Sequence, residues 1–136
     1  MNKKDIENLD DLFRDFIRKR AILRTGGCER CLTLKFDKVK EDGSILPSYK
    51  QLQCSHFWGR TKKAIRWDED DAAGLCGACH MYLTAHPPEH TEFFRKRLGE
   101  RDYDLLEARA NKPHKPDIEL ITLKLKDLIA KLEVKE

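Results

Sequence analysis

The sequence has no apolar run of the length a membrane span needs, and Lys3, Lys4, Asp5, Glu7 and Asp10 break up its first stretch. Neither a spanning helix nor a secretory leader is therefore expected, and the reading is a cytoplasmic protein. Internal repeats and low-complexity tracts are lacking too. A large excess of one charge is also missing: the net charge of +3 does not by itself identify a polyanionic partner. At 136 residues the chain lacks the length for two large cores, which leaves one domain with a modest core. The cysteine count of five is odd, so disulfides cannot account for all of them. In a reducing compartment, paired cysteines are more often metal ligands.

What is present is concentrated between Cys28 and His80. Two Cys-x2-Cys pairs, Cys28/Cys31 and Cys76/Cys79, bracket a Cys54-Ser55-His56 triplet. Each x2 spacing lets a tight turn aim both sulfurs at one ion about 2.3 Å away, so four thiols in two pairs match a closed, tetrahedral structural zinc site. Such a site has no open position for water, so this zinc is not the catalyst. Cys54 is left over and reads as a small apolar residue. Charge is also unevenly placed: Lys50, Arg60, Lys62, Lys63 and Arg66 form a basic run with no acid among them, and Asp68 to Asp71 follow as an acidic block.

Taken in order, Ile6, Leu9, Leu12, Phe13, Phe16, Ile17 and Leu23 recur at helical spacing from about Asp5 to Arg24, and Gly26-Gly27 stop the helix. This helix covers the zinc domain or, alternatively, forms a dimer seam. Its Arg14, Arg18, Lys19, Arg20 and Arg24 read either as phosphate contacts or as a solvated face. After the first cysteine turn, Leu32, Leu34 and Phe36 alternate as in a strand, and a polar loop turns at Asp42-Gly43. A second extended stretch, Leu52 to Phe57, puts Cys54 and His56 on one face. An irregular loop, a short strand over Ala72 to Leu75 and a helix opening at Cys79 follow, with Pro87-Pro88 as the stop. Three helical pieces are expected beyond it: Glu89 to Leu98, Asp102 to Ala110, and a last one capped by Asp117 whose Ile118, Ile121, Leu125, Leu128 and Leu132 pack on the core or pair with a second chain. Trp58 and Trp67 are read as core or cover, and His86 and His90 as surface residues.

These residues carry a resemblance. Cys28-x2-Cys31, Cys54-Ser55-His56-Phe57-x-Gly59-Arg60, Ile65-Arg66-Trp67-Asp68 and Asp71-x3-Leu75-Cys76-x2-Cys79-His80 resemble an HNH endonuclease of the ββα-metal type. The similarity is nearest to the phage NinG/Rap recombination nucleases and related prophage HNH proteins. It covers residues 28 to 80, with a looser similarity to about Ala110. It implies an α+β fold with a treble-clef zinc core over 27–88; the N-terminal amphipathic helix over 1–26 and the last helix of the C-terminal helical extension over 89–136 lie outside it and are read from their periodicity. It also implies hydrolysis of DNA phosphodiester bonds in recombination or in the processing of branched DNA.

By the resemblance, His56 is the general base and His80 a ligand of a catalytic Mg²⁺ or Mn²⁺. Arg60 or Arg66 clamps a phosphate while Lys62 and Lys63 neutralise its neighbours. Two positions depart from the pattern. Asp71 stands where the family usually has Asn; an aspartate accepts hydrogen bonds but does not donate them, and it is expected to raise the pKa of His56 or reach the metal, with Asp70 as a neighbouring candidate. Ser55 precedes the base where many members have a ligand. These departures favour the runner-up, a non-catalytic treble-clef module that binds nucleic acid through Lys50 to Arg66. A zinc-stabilised adaptor for protein partners is a third reading.

Overall fold

The computed structural model describes residues 2–59, 62–112 and 115–134. Among them the chain is α+β, with five α-helices and two two-stranded antiparallel sheets. Helix α1 (Lys3–Thr25) starts at a capping box, in which the Asn2 side chain accepts from the Asp5 N–H and the Asp5 carboxylate accepts from the Asn2 N–H. It ends at Gly26, whose φ of 78° is a left-handed conformation that an L side chain rarely adopts. Leu9, Phe13, Phe16, Ile17 and Ala21 make its buried face. Leu23, expected on that face, is exposed, and Arg20 takes a buried position nearby.

The expected strand over Leu32 to Phe36 is absent. Leu32, Leu34 and Phe36 are exposed, and the stretch contributes only a single bridge between Leu34 and Gly27. The reason is local: Leu32 sits at a φ of 62°, which closes the cysteine turn and breaks an extended run at its first residue. Pairing starts further on, where β1 (Lys38–Val39) and β2 (Ile45–Leu46) form a small hairpin across the Asp42-Gly43 turn. The segment read as a polar loop is therefore a hairpin. Asp42 accepts from both the backbone N–H and the hydroxyl of Ser44, which holds the turn.

The second sheet pairs β3 (Gln53–His56) with β4 (Ala72–Leu75), His56 opposite Ala72 and Gln53 opposite Leu75. The loop between them holds two short 3₁₀ turns. Helix α2 (Gly77–Ala85) opens two residues earlier than expected, with Cys76 as its N-cap. Pro87 and Pro88 start α3 (Pro87–Leu98) as well as stopping α2, since proline suits the first helical turn, where its missing N–H costs nothing. Helices α4 (Glu100–Asn111) and α5 (Ile118–Val134) follow, the latter with Asp117 accepting from the Leu120 N–H. None of the helices is long and apolar enough to cross a membrane.

α1 crosses β4 so closely that a Cβ on Gly74 would stand 2.6 Å from that of Ala21. On one side of this crossing Leu52, Leu75, Leu83 and Phe94 form a cluster under α2 and α3. On the other side Phe13, Phe16, Trp67 and Leu125 join α1 to α5. The last helix thus packs on the first. Buried charges tie the pieces together: Arg20 donates to the carbonyls of Glu69 (2.8 Å) and Ala72 (2.9 Å), and Arg97 donates to the Ala72 carbonyl (3.0 Å) while pairing with Glu29 (3.1 Å). Burial, with Arg97 and Arg24 nearby, lowers the pKa of Arg20 to about 10.

Candidate metal centre and the strand histidine

The first cysteine turn needs a glycine before it, because a Cβ on Gly27 would lie 1.9 Å from the Thr33 carbonyl oxygen. Cys28 donates its N–H to that carbonyl (3.1 Å), and the Leu32 N–H returns to the Cys28 carbonyl (3.0 Å). Glu29, between the two cysteines, accepts from the Gly74 N–H (2.6 Å), which seats the turn on β4. The second pair sits at the start of α2, where the Cys79 N–H points at Cys76 Sγ (3.5 Å).

The four sulfurs of Cys28, Cys31, Cys76 and Cys79 all lie within 4.8 Å of one another. Cys31 and Cys76 Sγ are 3.8 Å apart, the edge of a tetrahedron whose metal–sulfur bonds are about 2.3 Å. The cluster can hold a structural metal ion such as zinc. Its surroundings suit thiolates: Arg30 reaches Cys79 Sγ at 3.5 Å, and the Thr33 hydroxyl lies 3.1 Å from Cys31 Sγ. That hydroxyl holds the Cys31 thiol low, while burial pushes Cys79 up.

His56 ends β3 with its ring half-buried, 5.5 Å from the ring of Phe13 on α1. Its Nε2 lies 3.2 Å from the Arg66 carbonyl oxygen. A carbonyl only accepts, so Nε2 carries a hydrogen in this contact. With Gln53, Cys54, Asp10, Arg14 and Arg18, His56 lines a cleft of about 240 Å³ between β3 and α1.

His80 lies on α2, its Nδ1 bonded to the Gln53 side-chain oxygen. Gln53 and His56 are three residues apart on a strand, so their side chains point to opposite faces. His80 thus meets β3 at its first residue, whereas His56 stands at its last. Among the described residues, the only group of three or more histidine, cysteine, aspartate or glutamate side chains arranged to hold an ion is the four thiols.

Asp71 is fully buried, and its Oδ1 accepts from the Trp58 N–H at 3.0 Å. Its backbone carbonyl accepts from the Phe57 N–H at 2.8 Å. The residue thus clasps the chain just after His56. Burial pushes its pKa up to about 8, so at neutral pH it is a neutral acid with a proton to donate, and its Oδ2 has no hydrogen-bond partner. A neutral Asp71 cannot raise the pKa of His56 by its charge. Asp70 and Asp68 are both taken up by Arg109, at 3.4 and 2.7 Å.

The expected phosphate contacts divide as well. Arg66 is locked in a two-pronged pair with Asp10 (2.7 and 3.1 Å), which also accepts from the Trp67 indole (2.9 Å), so its guanidinium holds α1 to the loop. Lys62 is half-buried beside the Trp58 ring, 5.9 Å from its centroid, and Lys63 is exposed. Arg60 lies outside the described residues. His86 is exposed as expected, stacked on Tyr82, but His90 is half-buried against Phe57 and Phe94, where its Nε2 has no partner. Burial and, secondly, the charge of His80 lower the pKa of His90. Sequence reasoning gave no role to Asp10 or Gln53. The spacing of Asp10, Arg14 and Arg18 by four, which sets them along one line of α1, was the signal available.

No protein-family model matches the chain, and neither the curated proteins nor the solved structures give a match.

Proposed function

We propose that this chain is an HNH-type endonuclease that hydrolyses phosphodiester bonds in DNA. In this reading the core is a treble clef, with Cys28, Cys31, Cys76 and Cys79 holding a structural zinc that supplies crosslinking of the two turns and no chemistry. The observation that carries the reading is His56: a half-buried imidazole at a strand end, its Nε2–H bound to the Arg66 carbonyl, lining an open cleft that also presents two arginines. The imidazole takes a proton from a water as the water oxygen bonds to phosphorus. The opposite P–O bond breaks, and the leaving oxygen takes a proton from solvent. Asp71 keeps the backbone of Trp58, two residues past the base, in place, so it is a positioning residue. No step is assigned to His80.

The test is nicking of supercoiled plasmid and of a four-way junction, with magnesium or manganese supplied, by the parent chain and by His56→Ala with zinc content checked. Loss of cleavage by at least about 100-fold, the usual worth of a general base, with zinc retained, is expected. Undiminished cleavage by the variant rules out the base. The second reading, a zinc module that binds nucleic acid without cutting it, is favoured by Ser55 and Asp71, the two departures from the HNH pattern, both of which are buried. Salt-sensitive DNA binding with no cleavage by the parent under either ion is its signature.

A further inference from the structure

We propose that the cleft between α1 and β3 is where the sugar–phosphate backbone of the DNA strand sits, with Arg14 and Arg18 as its phosphate-binding residues. The proposal rests on the reading of His56 for its direction, because the cleft opens onto that imidazole. Both arginines lie outside the segment that carries the HNH resemblance, so it assigns them nothing.

Three features of the cleft point to an anion of this kind. First, Asp10, Arg14 and Arg18 line it as successive residues of one stripe, each about 6 Å further along the helix. The acid at one end is already paired with Arg66 and accepts from the neutral Trp67 indole, which leaves Arg14 and Arg18 as the cations of the α1 lining. Second, the two arginines are differently prepared. Arg18 is held in place, its side chain 11% exposed and its guanidinium over the Tyr49 ring at 5.3 Å. One of its amino groups donates to Asp15 (2.7 Å), while its Nε is buried without an acceptor. A buried donor left unpaired is destabilising, a cost that an incoming phosphate oxygen would offset on a small turn of the guanidinium. Arg14 is half exposed, and its pair with Asp11 is a weak, solvent-screened surface contact, so exchange for a phosphate costs little. Third, the other wall ends in His56, so a phosphate gripped from α1 lies along the same groove as the base. A planar guanidinium offers two parallel N–H groups to two phosphate oxygens, which suits grip and orientation together.

The experiment measures binding of a fluorescein-labelled 20-base-pair DNA duplex by anisotropy, with the zinc-loaded full chain and no added magnesium or manganese, over a series of salt concentrations. The Arg14→Gln/Arg18→Gln double variant is expected to bind at least about 10-fold more weakly, and its slope of log affinity against log salt to fall by about two. Lys38→Gln/Lys40→Gln, on the β1 hairpin away from the cleft, is expected to bind as the parent does. Arg14→Lys/Arg18→Lys keeps the charge and is expected to retain most of the affinity. An unchanged salt slope in the Gln variant, an equal loss in the Lys variant, or no binding by the parent at low salt overturns the assignment. Its fate is separable from that of the catalytic reading. Weakened binding by the Gln variant beside undiminished nicking by His56→Ala keeps the cleft and discards the base. Parent-like binding beside loss of nicking by His56→Ala discards the cleft alone.

Discussion

Asp71 is the residue whose chemistry departs furthest from its composition. A carboxyl with no solvent contact and one backbone N–H for company pays for its desolvation by holding its proton, to about pH 8. Unfolded, the same group titrates near 3.9. The folded chain therefore binds this proton more tightly, so the residue's contribution is fully present below about pH 4, declines as the pH rises, and is lost by about pH 8. Asparagine keeps the acceptor for Trp58 and has nothing to ionise. Asp71→Asn is expected to flatten the decline between pH 4 and 8 relative to the parent and to be more stable by about 2 kcal/mol at pH 8. Urea denaturation of both proteins at several pH values checks this, and parallel pH profiles would refute it. The sequence shows an aspartate at this position. It does not show that burial turns the acid into a group with an asparagine's hydrogen-bonding capacity, because burial is a property of the surrounding loop.

At the scale of elements, what the sequence disclosed depended on whether the signal was local. The stripe of α1, its glycine stop, the strand over Ala72 to Leu75 and the Asp117 cap are written in periodicity and turn chemistry within a few residues of each other, and all are present. The strand expected at Leu32 to Phe36 failed because alternation alone does not supply a pairing partner, and the turn before it takes Leu32 into a left-handed conformation. The placement of α5 was open for the same reason: its stripe reads identically whether the partner is α1 or another chain. In the structure Leu125 is buried at 2% exposure against α1, while Leu123 is 67% exposed. Leu125→Ala is expected to cost about 3 kcal/mol and Leu123→Ala less than about 0.5 kcal/mol in chemical denaturation of the isolated chain. Equal costs at the two positions would mean that a second chain covers Leu123.

For the molecule as a whole, the metal cluster and the helical packing depend on each other. The two cysteine turns come from distant parts of the chain, and between them Glu29, Gly74 and Arg97 form a bridge from the first turn through β4 to α3. One zinc per chain is expected by elemental analysis. Its removal by a chelator, or Cys79→Ser, is expected to lower the melting temperature by more than about 10 °C, since a metal that binds the native state alone contributes its binding energy to folding. A chain that melts unchanged after chelation would show that the helices need no such staple. The four thiols were legible because their spacing is chemical. The cleft was not, because it joins residues about forty positions apart whose meeting is set by how α1 lies on the sheet.

The cysteine cluster is lopsided. Cys28 and Cys79 are buried in the core, whereas Cys31 is exposed and Cys76 is partly so, their sulfurs 3.8 Å apart at the surface. A bound ion would be open to competing ligands and oxidants along that single edge. Its lifetime would then be governed by how fast the Cys31–Cys76 side loosens, while the inner pair keeps hold, so metal exchange becomes a stepwise surface process that leaves the interior of the fold undisturbed until its last step.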